Sequence, residues 1–127
     1  MNAAMKEMDG NSAVAEAVKQ ANPDVVVVHP ETPAAGMVEK IASFVANGQM
    51  DTELAYAESG RSAISGCIGA SAAGGRVFTA AASQGLAQMH EILFIAASLR
   101  LPLVVGVANG ALSAPQNTRA DHSDSTA

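Results

Sequence analysis

Val25–Val28 is a run of four β-branched residues with no polar alternation, and it constrains the fold more than any other stretch. A strand with one wet face would alternate apolar with polar residues, whereas four successive valines ask for cover on both faces. Parallel sheets flanked by helices provide that cover. His29-Pro30 ends the run, because proline lacks the N–H a ladder needs and restricts the residue before it. Thr32-Pro33 then reads as an N-cap followed by proline at the first helical position. A buried strand running straight into a helix places Glu31 and Thr32 at the carboxyl edge of a sheet, where open α/β folds bind ligands.

The rest of the chain repeats this alternation. Asn11-Ser12 is predicted to cap a helix through about Ala21, and Asn22-Pro23 stops it. A second helix runs from Pro33 to about Asn47, with Met37, Val38, Ile41, Phe44 and Val45 on one face and Gly48 after its end. Glu53–Glu58 is a short strand. Ser59–Ala73, rich in Ala, Gly and Ser, reads as a closely packed helix ended by Gly74-Gly75. Arg76–Ala82 returns as a strand. Ser83-Gln84-Gly85 opens a helix over Gly85–Leu99 whose apolar residues are spread widely enough to predict burial around most of it. Leu101–Val107 is a further strand, and everything after Ala108 reads as polar loop. Strand–helix repeats of this kind predict an α/β, Rossmann-like, three-layer fold with a right-handed parallel sheet. Val25–Val28, Leu54–Glu58, Val77–Ala80 and Leu103–Val107 are its expected central strands. Residues 1–9 are expected to be a flexible start and residues 10–127 one domain, which looks cut short because the last strand has no covering helix.

Composition narrows the partners. Aromatic residues make up 3% of the chain and Trp is absent, so a base-stacking platform is not expected. A net charge of −5 disfavours a nucleic-acid backbone. The single cysteine, Cys67, rules out an internal disulfide and cannot alone hold an iron–sulfur cluster. No basic-then-apolar leader opens the chain and no apolar run approaches ~18 residues, which predicts a soluble, cytoplasmic protein without a membrane partner.

Chemistry is expected where the strand ends converge: His29–Thr32, Glu58–Arg61, Ala82–Gly85 and Asn109–Ser113 share one rim of a parallel sheet. Singly, Ser83 and Thr32 read as helix caps; together the set points to a site. Gly66, Gly69, Gly74 and Gly75 do not form a dinucleotide fingerprint, since they lie inside or after a helix rather than between strand and helix. Asp9-Gly10-Asn11 lacks the preceding strand that a diphosphate–Mg²⁺ motif requires. Asp121-His122-Ser123-Asp124 reads as a solvated tail rather than a metal cluster. His90 reads as structural and Cys67 as a small core residue.

These segments resemble the N-terminal part of the alpha subunit of 2-oxoacid:ferredoxin oxidoreductases of the pyruvate synthase type, from about Gly10 to the last residue. The resemblance is carried by Gly10-Asn11-Ser12-Ala13-Val14-Ala15, His29-Pro30-Glu31-Thr32-Pro33, Gly69-Ala70-Ser71-Ala72-Ala73-Gly74 and Arg76-Val77-Phe78-Thr79-Ala80. It continues through Ser83-Gln84-Gly85-Leu86, Met89-His90-Glu91-Ile92-Leu93, Leu99-Arg100-Leu101-Pro102, Ala111-Leu112-Ser113-Ala114-Pro115 and Asp121-His122-Ser123-Asp124-Ser125. It implies the pyrimidine-binding half of a thiamine diphosphate site, with Mg²⁺ shared with a partner. The diphosphate half and an iron–sulfur cluster would lie on a beta subunit or a later domain, in an oligomer that meets CoA and ferredoxin. The implied chemistry is oxidative decarboxylation of a 2-oxoacid to an acyl-CoA, with electrons passed to ferredoxin.

Carried over by position, Thr32 is the substrate-binding threonine of a motif that usually reads Tyr-Pro-Ile-Thr-Pro, and Ser83, Gln84 and Gly85 bind the cofactor. The family glutamate that meets the aminopyrimidine, in a stretch resembling Glu-Ser-Glu-His-Ser-Ala, is here Gly60. The family arginine for the substrate carboxylate, in a stretch resembling Ala-Asn-Arg-Ala-Leu-Ser, is here Gly110. His29 and Glu31 replace the family tyrosine and isoleucine, and Arg61 replaces its histidine. Glu31 and Arg61 therefore stand as candidate replacements for the lost carboxylate and guanidinium. Two further readings are a non-catalytic copy that keeps only a subunit-interaction surface, and a flavodoxin-like nucleotide binder, which no phosphate loop supports.

Overall fold

The computed structural model describes residues 5–112 and 121–127. The strands β1 (Val25–Val28), β2 (Glu53–Tyr56), β3 (Val77–Ala81) and β4 (Val104–Val107) form one sheet in the order β2-β1-β3-β4, with every pair parallel. The helices are α1 (Gly10–Ala21), α2 (Ala35–Ala46), α3 (Gly60–Ala72), α4 (Ser83–Ser98) and the single turn α5 (Ser123–Thr126).

The valine run is covered on both faces, as its composition requires. Val26 and Val28 belong to a core with Ala15 and Val18 of α1 and with Met37, Val38, Ile41 and Phe44 of α2. Val27 belongs to a second core with Ala63, Ile64 and Cys67 of α3 and Met89 and Ile92 of α4. Alternate side chains of one strand thus anchor two helical layers. Only β1 and β3 are central, however. β2 and β4 are the outer strands of the described sheet, and Tyr56 and Val104 are each 61% exposed.

Glycine sets how closely α3 lies on the sheet. A Cβ on Gly66 would sit 3.3 Å from Val27 Cγ1, so even a methyl group would press on the strand. Cys67, fully buried beside it, contacts Phe78 O through Sγ at 3.7 Å, and burial pushes its thiol up to about 11. It is a core residue, as expected. Gly74, at φ +95°, turns the chain out of α3 in a conformation that side chains rarely adopt.

Three local expectations are corrected. Asp9, not Asn11 or Ser12, caps α1, its Oδ1 accepting the Ser12 N–H at 2.8 Å. Asn11 instead donates its side-chain amide to Pro33 O at 2.9 Å and ties α1 to the entry of α2. Thr32 is not a helix cap: α2 begins at Ala35, after a turn over residues 32–34, with Ala34 in the cap position and no side-chain cap bond. Finally, α4 is not buried on most of its circumference. Ser83, Gly85, Met89, Ile92 and Ala96 form one buried stripe, while Phe94, Ile95 and Leu99 are 65%, 42% and 57% exposed.

The two faces of α4 should separate under mutation. Ile92→Ala removes a buried side chain and is expected to cost about 2–5 kcal/mol. Leu99→Ala, on the exposed side, is expected to stay within about 0.5 kcal/mol. Urea denaturation midpoints compare the two directly.

Candidate functional site at the carboxyl edge of the sheet

Because all four strands are parallel, the segments that follow them meet at one edge. His29 Nδ1 lies 3.1 Å from Ala57 O and links the segments after β1 and β2. Ser59 caps α3 by accepting the Ser62 N–H at 3.1 Å, which places Gly60 at the first helical position. Gly60 N donates to Gln88 Oε1 of α4 at 3.1 Å.

Here the starts of α3 and α4 touch through their glycines. A Cβ on Gly60 would lie 2.5 Å from Gly85 O and 2.9 Å from Gly85 Cα, so this approach excludes every side chain. A Cβ on Gly85 would in turn collide with Glu31 Oε1 and lie 2.6 Å from Glu31 Cδ. The Glu31 carboxyl therefore rests on the first turn of α4, against the one residue type that leaves it room. Burial pushes that carboxyl above the usual glutamate range, while the Ala82 amide, the His29 charge and the Gly85 amide pull the other way. The sequence places Glu31 on the rim; the glycine that seats it is visible only in three dimensions.

A second carboxylate reaches the same helix from the chain's last residues. Asp124 accepts from Ser83 N at 3.1 Å, Gly110 N at 2.9 Å, Asn109 Nδ2 at 2.8 Å and Ser125 N at 2.7 Å. Burial alone would raise it, but these bonds outweigh desolvation and hold it below the usual aspartate range. Gln84 Nε2 adds a bond to Leu112 O at 2.8 Å, and Ser123 Oγ accepts from Leu112 N at 3.3 Å. The Asp121–Asp124 stretch is thus not a solvated tail: Asp124 is 5% exposed and α5 docks on α4. Sequence reasoning noticed these residues but missed their place, because no spacing rule links Asp124 to Ser83. Ser83 itself is fully buried at φ +47°, and its Oγ has no hydrogen-bond partner among the described residues.

The remaining candidates divide. Gly110 is buried with its amide committed to Asp124. Thr32 is exposed beside Glu31. Arg61 lies on α3 but pairs with Glu91 Oε2 at 2.9 Å, both side chains more than half exposed, and not with Glu31. Ser113 lies outside the described residues. His90 is exposed on α4 and meets Phe94 edge-on, with centroids 5.2 Å apart. Among the described residues no three His, Cys, Asp or Glu side chains group to hold a metal. A groove of about 600 Å³ lies at the opposite end of the strands, between α1 and the start of β4. Its walls include Val14, Val18, Phe78 and Val104 with few polar atoms, so it offers little to acid–base chemistry.

A family model described as pyruvate flavodoxin/ferredoxin oxidoreductase, thiamine diphosphate-binding, matches residues 16–127. The chain is 58% identical over 123 residues to pyruvate synthase subunit PorA of Methanocaldococcus jannaschii, a match covering 97% of this chain and 32% of that protein. It is 48% identical over 120 residues to ketoisovalerate oxidoreductase subunit VorA of Pyrococcus abyssi, covering 94% of this chain and 30% of that one. Among solved structures, the 2-oxoglutarate:ferredoxin oxidoreductase of Magnetococcus marinus, with 2-oxoglutarate, coenzyme A and succinyl-CoA bound, superposes with a TM-score of 0.83. That match has 30% identity and covers 92% of this chain and 20% of the other. The chain thus spans about a third of the length of the curated relatives it matches.

The rim geometry makes a paired prediction. Asp124→Ala strands the Ser83 and Gly110 amides and is expected to destabilise by about 2–4 kcal/mol, from about 1–3 kcal/mol per orphaned donor with partial relief by water. Gly60→Ala is expected to cost about 1–3 kcal/mol through overpacking on Gly85. Chemical denaturation reads both.

Proposed function

The chain belongs to the pyruvate flavodoxin/ferredoxin oxidoreductase thiamine diphosphate-binding family, and from that premise we propose that it is the pyrimidine-binding segment of an alpha subunit. The enzyme would be a 2-oxoacid:ferredoxin oxidoreductase that converts a 2-oxoacid and CoA to an acyl-CoA and reduces ferredoxin. The observation that carries this reading is the convergence of Ser83, Gln84, Gly85 and Glu31 on one rim, in a member of that family. The residues present fit an aminopyrimidine: a buried hydroxyl at Ser83 Oγ without a partner among the described residues, and a carboxyl at Glu31. Ser83, Gln84 and Gly85 would hold the ring, and Thr32 would contact the substrate. When bound, thiamine diphosphate supplies the carbon nucleophile and electron sink that decarboxylation of a 2-oxoacid needs. A beta subunit or a further domain would supply the diphosphate half, Mg²⁺ and the iron–sulfur cluster. No described helix is long and apolar enough to cross a membrane, which is compatible with work in the cytoplasm.

A second reading, a non-catalytic interaction module, is favoured by the exposed Phe94, Ile95 and Leu99 and by the glycines at 60 and 110. Calorimetric titration of thiamine diphosphate with Mg²⁺ into the chain together with a beta subunit separates the two. Saturable binding followed by 2-oxoacid-dependent ferredoxin reduction is expected, slowed by ~10²–10⁴ relative to an enzyme that keeps the glutamate lost at Gly60. Assembly of the subunits without cofactor binding would favour the interaction module.

A further inference from the structure

The relatives are named for anionic 2-oxoacids, pyruvate and 2-oxoglutarate among them. Holding the carboxylate of such a substrate in a partly buried mouth calls for a cation or for free amide donors. The rim amides of Ser83 and Gly110 already donate to Asp124. Most described cations are engaged elsewhere. Lys6 and Lys19 act on Glu16 of α1, and Lys40 lies over Phe44 of α2. Arg61 pairs with Glu91, Arg76 donates to Ala21 O at the amino end of the strands, and Arg100 follows the far end of α4. His122 lies beside Asp121, and His90 meets Phe94 along α4. His29 is different. It directly follows the central strand β1 at the carboxyl edge, half-buried, on the same segment as Thr32. Its Nδ1 lies 3.1 Å from Ala57 O. A carbonyl oxygen only accepts, so this bond keeps the proton on Nδ1 and leaves Nε2 to gain or lose one. Nε2 has no hydrogen-bond partner, and the ring no ion pair, among the described residues.

We propose that His29 is the substrate-binding cation of this rim, its imidazolium Nε2–H receiving the carboxylate of the 2-oxoacid. The inference rests on the functional reading above and adds the group that would hold the substrate's charge. The Ala57 carbonyl anchors one side of the ring, so the other side is oriented before a ligand arrives. A charge-assisted bond made there is screened less than one in open water. The charged groups of the segments that meet at His29 leave this bond available. Glu31 feels the His29 charge, but its carboxyl rests on Gly85, toward the Ala82 and Gly85 amides. Glu58 follows Ala57 and is half-buried, Arg61 and Glu91 hold each other, and Asp124 is occupied by four hydrogen bonds. Family membership does not bring this role with it, because the motif resembled here carries tyrosine at this position, and tyrosine has no cationic form. A histidine also differs from an arginine in changing charge between about pH 5 and pH 8, so substrate binding becomes tied to pH.

The test uses the full chain assembled with a beta subunit, thiamine diphosphate and Mg²⁺, and two probes: pyruvate and its uncharged amide, pyruvamide. Carbon-13 NMR of labelled histidine rings reads the native protein directly, with the His29 signal assigned by its loss in His29→Gln. At about pH 7.5, pyruvate should move that signal toward the imidazolium position, and pyruvamide should leave it in place. Calorimetry should show His29→Gln weakening pyruvate by about tenfold or more, the order a charge-assisted hydrogen bond carries, with pyruvamide changed less than about twofold. From about pH 6 to about pH 8 the native complex should lose affinity for pyruvate several-fold; Glu31→Gln should keep that dependence and His29→Gln remove it. A His29 signal indifferent to pyruvate, or equal loss of both probes in His29→Gln, would overturn the proposal. Pyruvate affinity unchanged in His29→Gln, or no binding of pyruvate to the cofactor-loaded complex, would also overturn it. Failure of thiamine diphosphate itself to bind, seen in the preceding titration, would instead overturn the functional reading on which this inference rests.

Discussion

The first turn of α4 receives two carboxylates, Glu31 from the segment after β1 and Asp124 from the end of the chain, and they meet opposite circumstances. Asp124 is almost fully enclosed yet accepts four hydrogen bonds, so its charge is stabilised more than burial penalises it. Glu31 is held against a glycine with weaker compensation, so burial prevails and its carboxyl is raised. Both favour the positive end of a sixteen-residue helix. Asp124 thereby joins the start of α4, the Asn109–Gly110 segment and the closing turn α5 into one unit. Glu31 lies on the resulting rim, against Gly85.

Glycines set how closely the elements of this rim approach one another. Gly60 and Gly85 bring α3 and α4 so close that a Cβ at Gly60 would stand 2.5 Å from a backbone oxygen. Any side chain at position 60 would therefore need the two helices to part. Gly110 is one of the donors that hold Asp124. Gly60 and Gly110 are thus both committed to backbone contacts, and the Glu31 carboxyl rests on the same rim.

The valine run shows how much of the fold can be read from sequence. Four unbroken β-branched residues imply two covered faces, hence a parallel sheet with helices on both sides, and the strand–helix repeats along the chain supply the rest of the topology. The periodicity of α4 misled, because Phe94, Ile95 and Leu99 look like core residues until the width of the sheet is known. Thr32-Pro33 misled as well: the pair has the residue types of a helix start, but Asn11 binds Pro33 O and the helix begins two residues later. At the site, Glu31, Thr32, Ser83, Gln84 and Gly85 were legible because strand ends in a parallel sheet must share an edge. Asp124 was not, since its partner Ser83 lies 41 residues away and nothing local marks the pair. Arg61 was legible as a new charge, but its pairing with Glu91 depends on how α3 and α4 are rotated against each other.

The opposed environments of the two carboxylates also give folding stability opposed pH dependences. For Asp124 the native value lies below the unfolded one, so its contribution is complete above the ordinary aspartate range and is lost as pH falls through the depressed native value. For Glu31 the native value lies above the unfolded one, so its protonation favours the fold as pH falls through the raised value, and ionisation costs stability above it. The most direct measurement is a carbon-13 NMR titration of the Glu31 and Asp124 carboxyl groups in the folded chain. This account predicts that Glu31 titrates above the ordinary glutamate value and Asp124 below the ordinary aspartate value. Glu31 titrating as an exposed glutamate would contradict its burial against Gly85, and Asp124 titrating normally would contradict the fourfold hydrogen-bonded seat at the start of α4.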